Sequence, residues 1–146
     1  MNTNLKDRRL YQQVILSHSK NPRNFGQTNP VDSYQKRENL YCGDRIEITI
    51  AWDRQTQKIA DLKFQGSGCA LCLASADLMI EAVKGKTVEE TLAIVEHFHQ
   101  VMLGQAELNP SLNKLKAIEG VKRYPIKIKC TTLPWHTLKA AIINFV

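Results

Sequence analysis

Arg45-Ile46-Glu47-Ile48-Thr49-Ile50-Ala51-Trp52 is followed, after a short break at Asp53 to Gln57, by Ala60-Asp61-Leu62-Lys63-Phe64-Gln65. In the first stretch Ile46, Ile48, Ile50 and Trp52 alternate with Arg45, Glu47, Thr49 and Ala51. In the second, Ala60, Leu62 and Phe64 alternate with polar neighbours. Successive side chains of a strand point to opposite faces, so both stretches predict strands with one apolar face. The break between them has hairpin length. An antiparallel hairpin over residues 45–65 is therefore the expected centre of a sheet. The polar stretch from Val31 to Asn39 is the natural third, edge strand.

The flanking sequence changes period. From Leu5 to Ser19, Leu10, Val14 and Ile15 with Tyr11 recur at near-helical spacing until Asn21-Pro22 ends the pattern. After Gly66-Ser67-Gly68, residues Leu71, Ala74, Ser75, Leu78 and Ala82 mark one face of a helix that closes near Lys84-Gly85. Thr87-Val88-Glu89-Glu90 has the form of a capping box opening a helix to about Met102. Asn109-Pro110 predicts a short helix through Leu112 and Leu115, closed near Gly120. Thr131 or Thr132 is the expected cap of a final helix, with Pro134 in its first turn and Leu138, Ala141, Ile142 and Phe145 as its apolar stripe. The pattern is α+β: a small antiparallel sheet of about three strands packed against several helices. A chain of 146 residues has the length of one domain, so residues 1–146 are expected to form a single one.

Composition narrows the function. Apolar runs are far shorter than a membrane span, and the polar start of the chain carries no apolar leader core, which predicts a cytoplasmic protein without membrane association. The net charge of +6 is scattered among acids with no basic run, arguing against nucleic acid as partner. In a reducing compartment the four cysteines read as ligands or reactive thiols rather than two disulfides.

Cys42-Gly43-Asp44 sets a thiol and a carboxylate two residues apart, on the same side of extended backbone. Cys69 stands at a strand-to-helix junction and Cys130 before the expected last helix, so both would sit at helix N-termini, where thiolate is favoured. Lys129 adds a neighbouring cation to Cys130. Three thiolates and Asp44 make a donor set suited to tetrahedral Zn²⁺, less uniformly soft than four sulfurs. The plainer reading is that an isolated cysteine is a small buried hydrophobe. Cys69-x-x-Cys72 also has redox-motif spacing, but no parallel βαβ pattern surrounds it. The histidines His18, His97, His99 and His136 read as helix residues; His136 is near enough to Cys130 in sequence for an outer contact.

Four motifs in this order resemble one family. They are residues 15–26 (I-L-S-H-S-K-N-P-R-N-F-G), Cys42-Gly43-Asp44, Gly66-Ser67-Gly68-Cys69-Ala70 with Ala74-Ser75, and residues 121–138 with Lys129-Cys130 and Trp135-His136-Thr137-Leu138. The chain resembles the NifU N-terminal or IscU-like family of iron–sulfur cluster assembly, and most closely its SufU branch. Two features point to that branch: Lys129 where IscU proteins carry histidine, and an extra segment around residues 101–119. The resemblance implies zinc on Cys42, Asp44, Cys69 and Cys130, and a SufS-type pyridoxal-phosphate cysteine desulfurase as partner. Cys42 would accept the persulfide sulfur, with Lys129 and Cys72 as auxiliary residues. The chain would then act as a persulfide relay rather than a stand-alone enzyme, passing sulfur to a cluster scaffold or apo-proteins.

The alternatives are a scaffold for a transient [2Fe–2S] cluster or iron on the same thiolates, and, in a different class, a protein with a purely structural zinc site. The chain departs from the family pattern at Leu40-Tyr41, where a small residue or proline is usual, at Cys72 in place of serine, and at Pro134 in place of alanine.

Overall fold

The hairpin forms where its alternation places it. In the computed structural model, which describes residues 5–145, β2 (Asp44–Asp53) and β3 (Lys58–Ser67) pair antiparallel, and β1 (Ser33–Asn39) pairs with the other edge of β2. Ile46, Ile48, Ile50, Leu62 and Phe64 are fully buried on one face. The register departs from strict alternation at one point. Ala51 pairs with Asp61 and Trp52 with Ile59, which skips Ala60. This bulge turns Ile59 into the core and Ala60 outward, the reverse of the assignment that simple period-2 reading gave to Ala60.

The helices cover that apolar face in the expected α+β arrangement. α1 (Leu5–Lys20) lies on α2 (Ala70–Val83), which follows β3; α3 (Val88–Met102) comes next. The capping box at Thr87 forms in both directions: Glu90 N donates to the Thr87 hydroxyl at 3.1 Å and Thr87 N to the Glu90 carboxylate at 3.0 Å. After Asn109, whose side chain accepts from Ser111 N, the chain runs as a 3-10 turn (Pro110–Leu115) and then α4 (Lys116–Glu119), burying Leu115 and Ile118.

The last helix corrects the expected boundary. α5 spans Pro125–Phe145, so Cys130 lies inside it and Pro134 in its middle. Thr131 and Thr132 are not caps; their hydroxyls donate back to the carbonyls of Lys127 and Ile128, both at 2.9 Å. Thr-Thr followed by Pro is a genuine start signal in isolation. Here Tyr124-Pro125 supplies an earlier start, and buried Thr131, Thr132, Leu133 and Trp135 hold the helix together across the proline.

Two polar devices lock the layers. Ser75 on α2 donates to the Thr131 carbonyl at 2.6 Å and accepts from Trp135 Nε1 at 3.0 Å, while the Trp135 ring stacks on Phe98 of α3 at 4.1 Å. Segment 24–26 covers the outer edge of β3: Phe64 N donates to the Asn24 carbonyl and Gly26 N to the Phe64 carbonyl.

Candidate metal centre

β1 and β2 are joined by the loop 40–43, and its last turn needs Gly43, whose φ of +69° is left-handed. The turn sets Cys42 beside Asp44, the first residue of β2. β3 returns to the same point, where its close approach is possible only without side chains. A Cβ on Gly66 would stand 2.0 Å from the Arg45 carbonyl oxygen, and one on Gly68 2.3 Å from Asp44 Oδ1. α5 completes the pocket by carrying Cys130, fully buried, to within 2.9 Å (Sγ to Sγ) of Cys42.

The donor atoms of Cys42, Asp44 and Cys130 all lie within 4.8 Å of one another. Asp44 is almost completely buried. Its Oδ1 accepts from Cys69 N at 2.9 Å, whereas Oδ2 has no hydrogen-bond partner. An unpaired carboxylate oxygen out of water is costly, and a cation shared with two thiolates is the group that would satisfy it. The residues therefore fit a soft or borderline divalent metal.

Burial pushes the Cys130 thiol well above the usual cysteine range, reinforced by its contacts with Cys42 and Asp44. Without a metal this sulfur keeps its proton, and metal capture must displace it. The sequence expectation of a thiolate favoured by a helix N-terminus and by Lys129 is corrected on both counts. Cys130 sits inside α5, and Lys129 points its ammonium at the Tyr41 ring, 5.5 Å from the centroid.

Cys69 is the half-buried residue that precedes α2. Its amide braces Asp44, while its sulfur lies outside the 4.8 Å group and makes no capping bond. Cys72, one turn on, is fully buried in the core, and burial followed by the nearby charge of Asp44 raises its thiol strongly. His136 is exposed and packs edge-on to His99, with ring centroids 5.8 Å apart. Asn39 went unnoticed in the sequence; its Nδ2 approaches Cys130 Sγ at 3.9 Å. A polar residue at the end of an edge strand gives no signal of this role. The Gly-Ser-Gly stretch did give a signal, but one readable only as a strand break.

Gly68→Ala is expected to keep the fold and weaken metal binding roughly 10- to 100-fold, because the new methyl displaces Asp44. Chelator competition together with circular dichroism measures both.

The NifU-like N terminal domain family matches residues 10–146 of the chain. The zinc-dependent sulfurtransferase SufU of Bacillus subtilis (strain 168) is 41% identical over 136 residues, covering 91% of this chain and 89% of that protein. The iron–sulfur cluster assembly scaffold protein IscU of Streptococcus pyogenes serotype M1 is 40% identical over 136 residues, covering 91% and 82%. The crystal structure of FiSufU from Fervidobacterium islandicum AW-1 superposes with a TM-score of 0.81 at 34% identity, covering 89% of this chain and 94% of that one. The fold, the Cys-Gly-Asp turn and a match running from residue 10 to the end of the chain agree: the protein belongs to the NifU-like N-terminal domain family.

Proposed function

We propose that this protein serves iron–sulfur cluster assembly as a zinc-dependent sulfur acceptor, with Cys42 taking persulfide sulfur from a pyridoxal-phosphate cysteine desulfurase of the SufS type. The observation that carries this reading is the pocket in which half-buried Cys42 meets buried Cys130 and the unpaired Asp44 oxygen. The similarity to the Bacillus subtilis sulfurtransferase supports it. Cys42, Asp44 and Cys130 would hold zinc, and Cys69 would supply the fourth ligand from the start of α2. Bound zinc keeps thiols as thiolates at neutral pH and masks them until one is released.

The chain's own part is then to present Cys42. Its sulfur sits on a four-residue loop, 40–43, outside the strand ladder, whereas Asp44 and Cys130 are fixed in a strand and a helix. Cys42 is the ligand that can leave. Its thiolate attacks the outer sulfur of the donor persulfide, the donor's S–S bond breaks, and the donor cysteine departs as thiolate while Cys42 holds the new persulfide. Cys42 is only half-buried, so a donor can reach it, which favours an acceptor over a purely structural site. Free thiols at this spacing call for a reducing compartment. No helix among the described residues is long and apolar enough to cross a membrane.

The scaffold reading, a transient [2Fe–2S] cluster held as cargo on the same thiolates, is favoured by the similarity to the streptococcal scaffold protein. Metal analysis with persulfide mapping after incubation with desulfurase tests the first reading. Wild type is expected to carry zinc and a persulfide on Cys42 and to raise desulfurase turnover, and Cys42→Ala to do neither of the last two. Undiminished sulfur loading of Cys42→Ala would overturn it, and a transferable coloured cluster after anaerobic reconstitution would favour the scaffold.

A further inference from the structure

Part of the extra segment, the 3-10 turn Pro110–Leu115, closes a cleft of about 590 Å³ at the end of α2 away from the metal centre. One wall is the last turn of α2 with the bend after it, the base is one side of α3, and the far wall is the 3-10 turn. Cys69 stands at the start of α2, so a helix length of about 20 Å separates the two places. Both walls are pinned. Ile59 N donates to the Lys86 carbonyl at 2.8 Å and Gly85 N to the Ile59 carbonyl at 3.1 Å, which holds the bend to β3. Asn109 N donates to His97 Nε2 at 2.9 Å, and the Asn109 side chain accepts from Ser111 N at 3.0 Å, which holds the far wall to α3. The cleft is preformed, so a ligand entering it has little ordering to do.

Its lining divides by chemistry. Ala93, Ile94 and Leu112 give it an apolar base, and Lys84, Lys86 and Lys114 add three cations. Lys84 is paired with Asp61 at 3.2 Å, whereas Lys86 and Lys114 have no ion-pair partner among the described residues. Complementing the carbonyl end of α2 accounts for Lys84 and Lys86 but not for Lys114, which comes from the opposite wall. Lysines gathered in a concavity focus positive potential there, where on a convex surface they would spread apart. The acid of the lining, Glu81, has the opposite preference, for hydroxyl or amino hydrogens.

We propose that this cleft is a binding site for a nucleoside phosphate, with the phosphates on the lysines, the base on the apolar residues, and a ribose hydroxyl or base amino group on Glu81. Lysine acts as a point charge, and a compact, multiply charged phosphate group is the partner that satisfies several at once. The volume lies within the range of about 300–1,000 Å³ typical of small-molecule sites. A fatty acid would match the apolar base and one lysine but leave the other cations and Glu81 unused. A free inorganic anion would leave the apolar base bare. The site is separate from the metal centre and does not rest on the sulfur-acceptor reading.

The test is calorimetric titration of the zinc-loaded full chain with ADP, and separately with inorganic phosphate and with adenosine, which carry the two halves of the ligand. ADP is expected to bind one to one, more weakly as salt is added. Phosphate and adenosine should each bind more than about tenfold more weakly than ADP. Lys86→Glu/Lys114→Glu is expected to weaken ADP binding more than about tenfold. Ala93→Phe, which fills the cleft from an exposed position without changing the charge, should do the same. Lys122→Glu/Lys139→Glu makes the same charge change outside the cleft and should leave ADP affinity within about twofold of wild type. Zinc content and circular dichroism of all three variants should match wild type. Absence of saturable ADP binding to wild type would overturn the proposal. So would equal affinity for ADP and inorganic phosphate, the result for an anion lodged on surface lysines. Unchanged affinity in Ala93→Phe, or an equal loss in Lys122→Glu/Lys139→Glu, would overturn it as well.

Discussion

Cys130→Ala is expected to abolish stoichiometric metal binding, whereas Cys72→Ala retains it. Cys130 is central to the donor group: its sulfur is the one fixed by a helix, fully buried, and within 2.9 Å of Cys42. Removing it leaves a half-exposed thiol on a loop and a carboxylate oxygen that still lacks a partner. Loss of an outer-sphere contact to a metal typically costs 10- to 100-fold in affinity, so loss of a ligand is expected to exceed about 100-fold. Cys72 lies in the hydrophobic core and outside the 4.8 Å group, so its truncation creates a small cavity and leaves the donors in place. Metal content measured after dialysis against a weak chelator separates the two. Equal retention by both variants would remove Cys130 from the centre.

The same pair carries a pH signature. Burial holds the Cys130 proton on in the metal-free protein, and each thiol that binds the metal must release its proton. Metal affinity of the wild type should therefore rise with pH across the neutral range, and Cys72→Ala should keep the same rise because its thiol lies outside the donor group and gives up no proton to the metal. Isothermal titration in two buffers of different ionisation enthalpy counts the protons directly.

What the residues disclosed beforehand follows from how local each signal is. The hairpin was legible because Ile46, Ile48 and Ile50 repeat a period that only a strand satisfies, and the Thr87–Glu90 box because both of its hydrogen bonds lie within one turn. The bulge at Ala51/Trp52 was not legible: Ile59 and Ala60 are both apolar, and only the cross-strand register decides which turns inward. The start of α5 was misplaced because Thr131-Thr132 with Pro134 imitates a cap, and the packing that overrides it comes from α2 through Ser75 and from α3 through Phe98. The candidate site divides in the same way. Cys42 and Asp44 share one turn and could be paired from spacing, but their meeting with Cys130 spans 88 positions and is made by the fold. The exposure of Leu40 and Tyr41 was equally beyond reach, since in the sequence they stood out only as a departure from the family pattern.

Asp77 is the residue whose weight was least visible, and Asp77→Ala is expected to be the most destabilising single change away from the site. An aspartate amid the apolar run of α2 reads as a solvent-facing position, yet it is fully buried. Its Oδ1 accepts from both the backbone amide and the side-chain amide of Asn24, at 2.9 and 3.0 Å, and its Oδ2 lies 2.5 Å from His18 Nδ1. One carboxylate thus fastens the end of α1 and the start of the segment that covers the β3 edge. This accounts for His18 and Asn24 within the motif spanning residues 15–26. Alanine would leave the Asn24 donors buried without an acceptor and His18 without its partner, a loss of about 3–5 kcal/mol by the measure of broken buried pairs. For a domain whose total stability is about 5–15 kcal/mol, that corresponds to a fall in Tm of roughly 10–20 °C. Asp77→Asn keeps an acceptor for Asn24 and should lose less, so the order wild type, Asn, Ala in urea midpoint is the specific expectation. None of these partners donates to the metal group, so the folded fraction of Asp77→Ala should still bind metal normally at low temperature. A Tm within about 3 °C of wild type would show that the anchor contributes little, and a loss of metal binding without unfolding would show that it acts on the site instead.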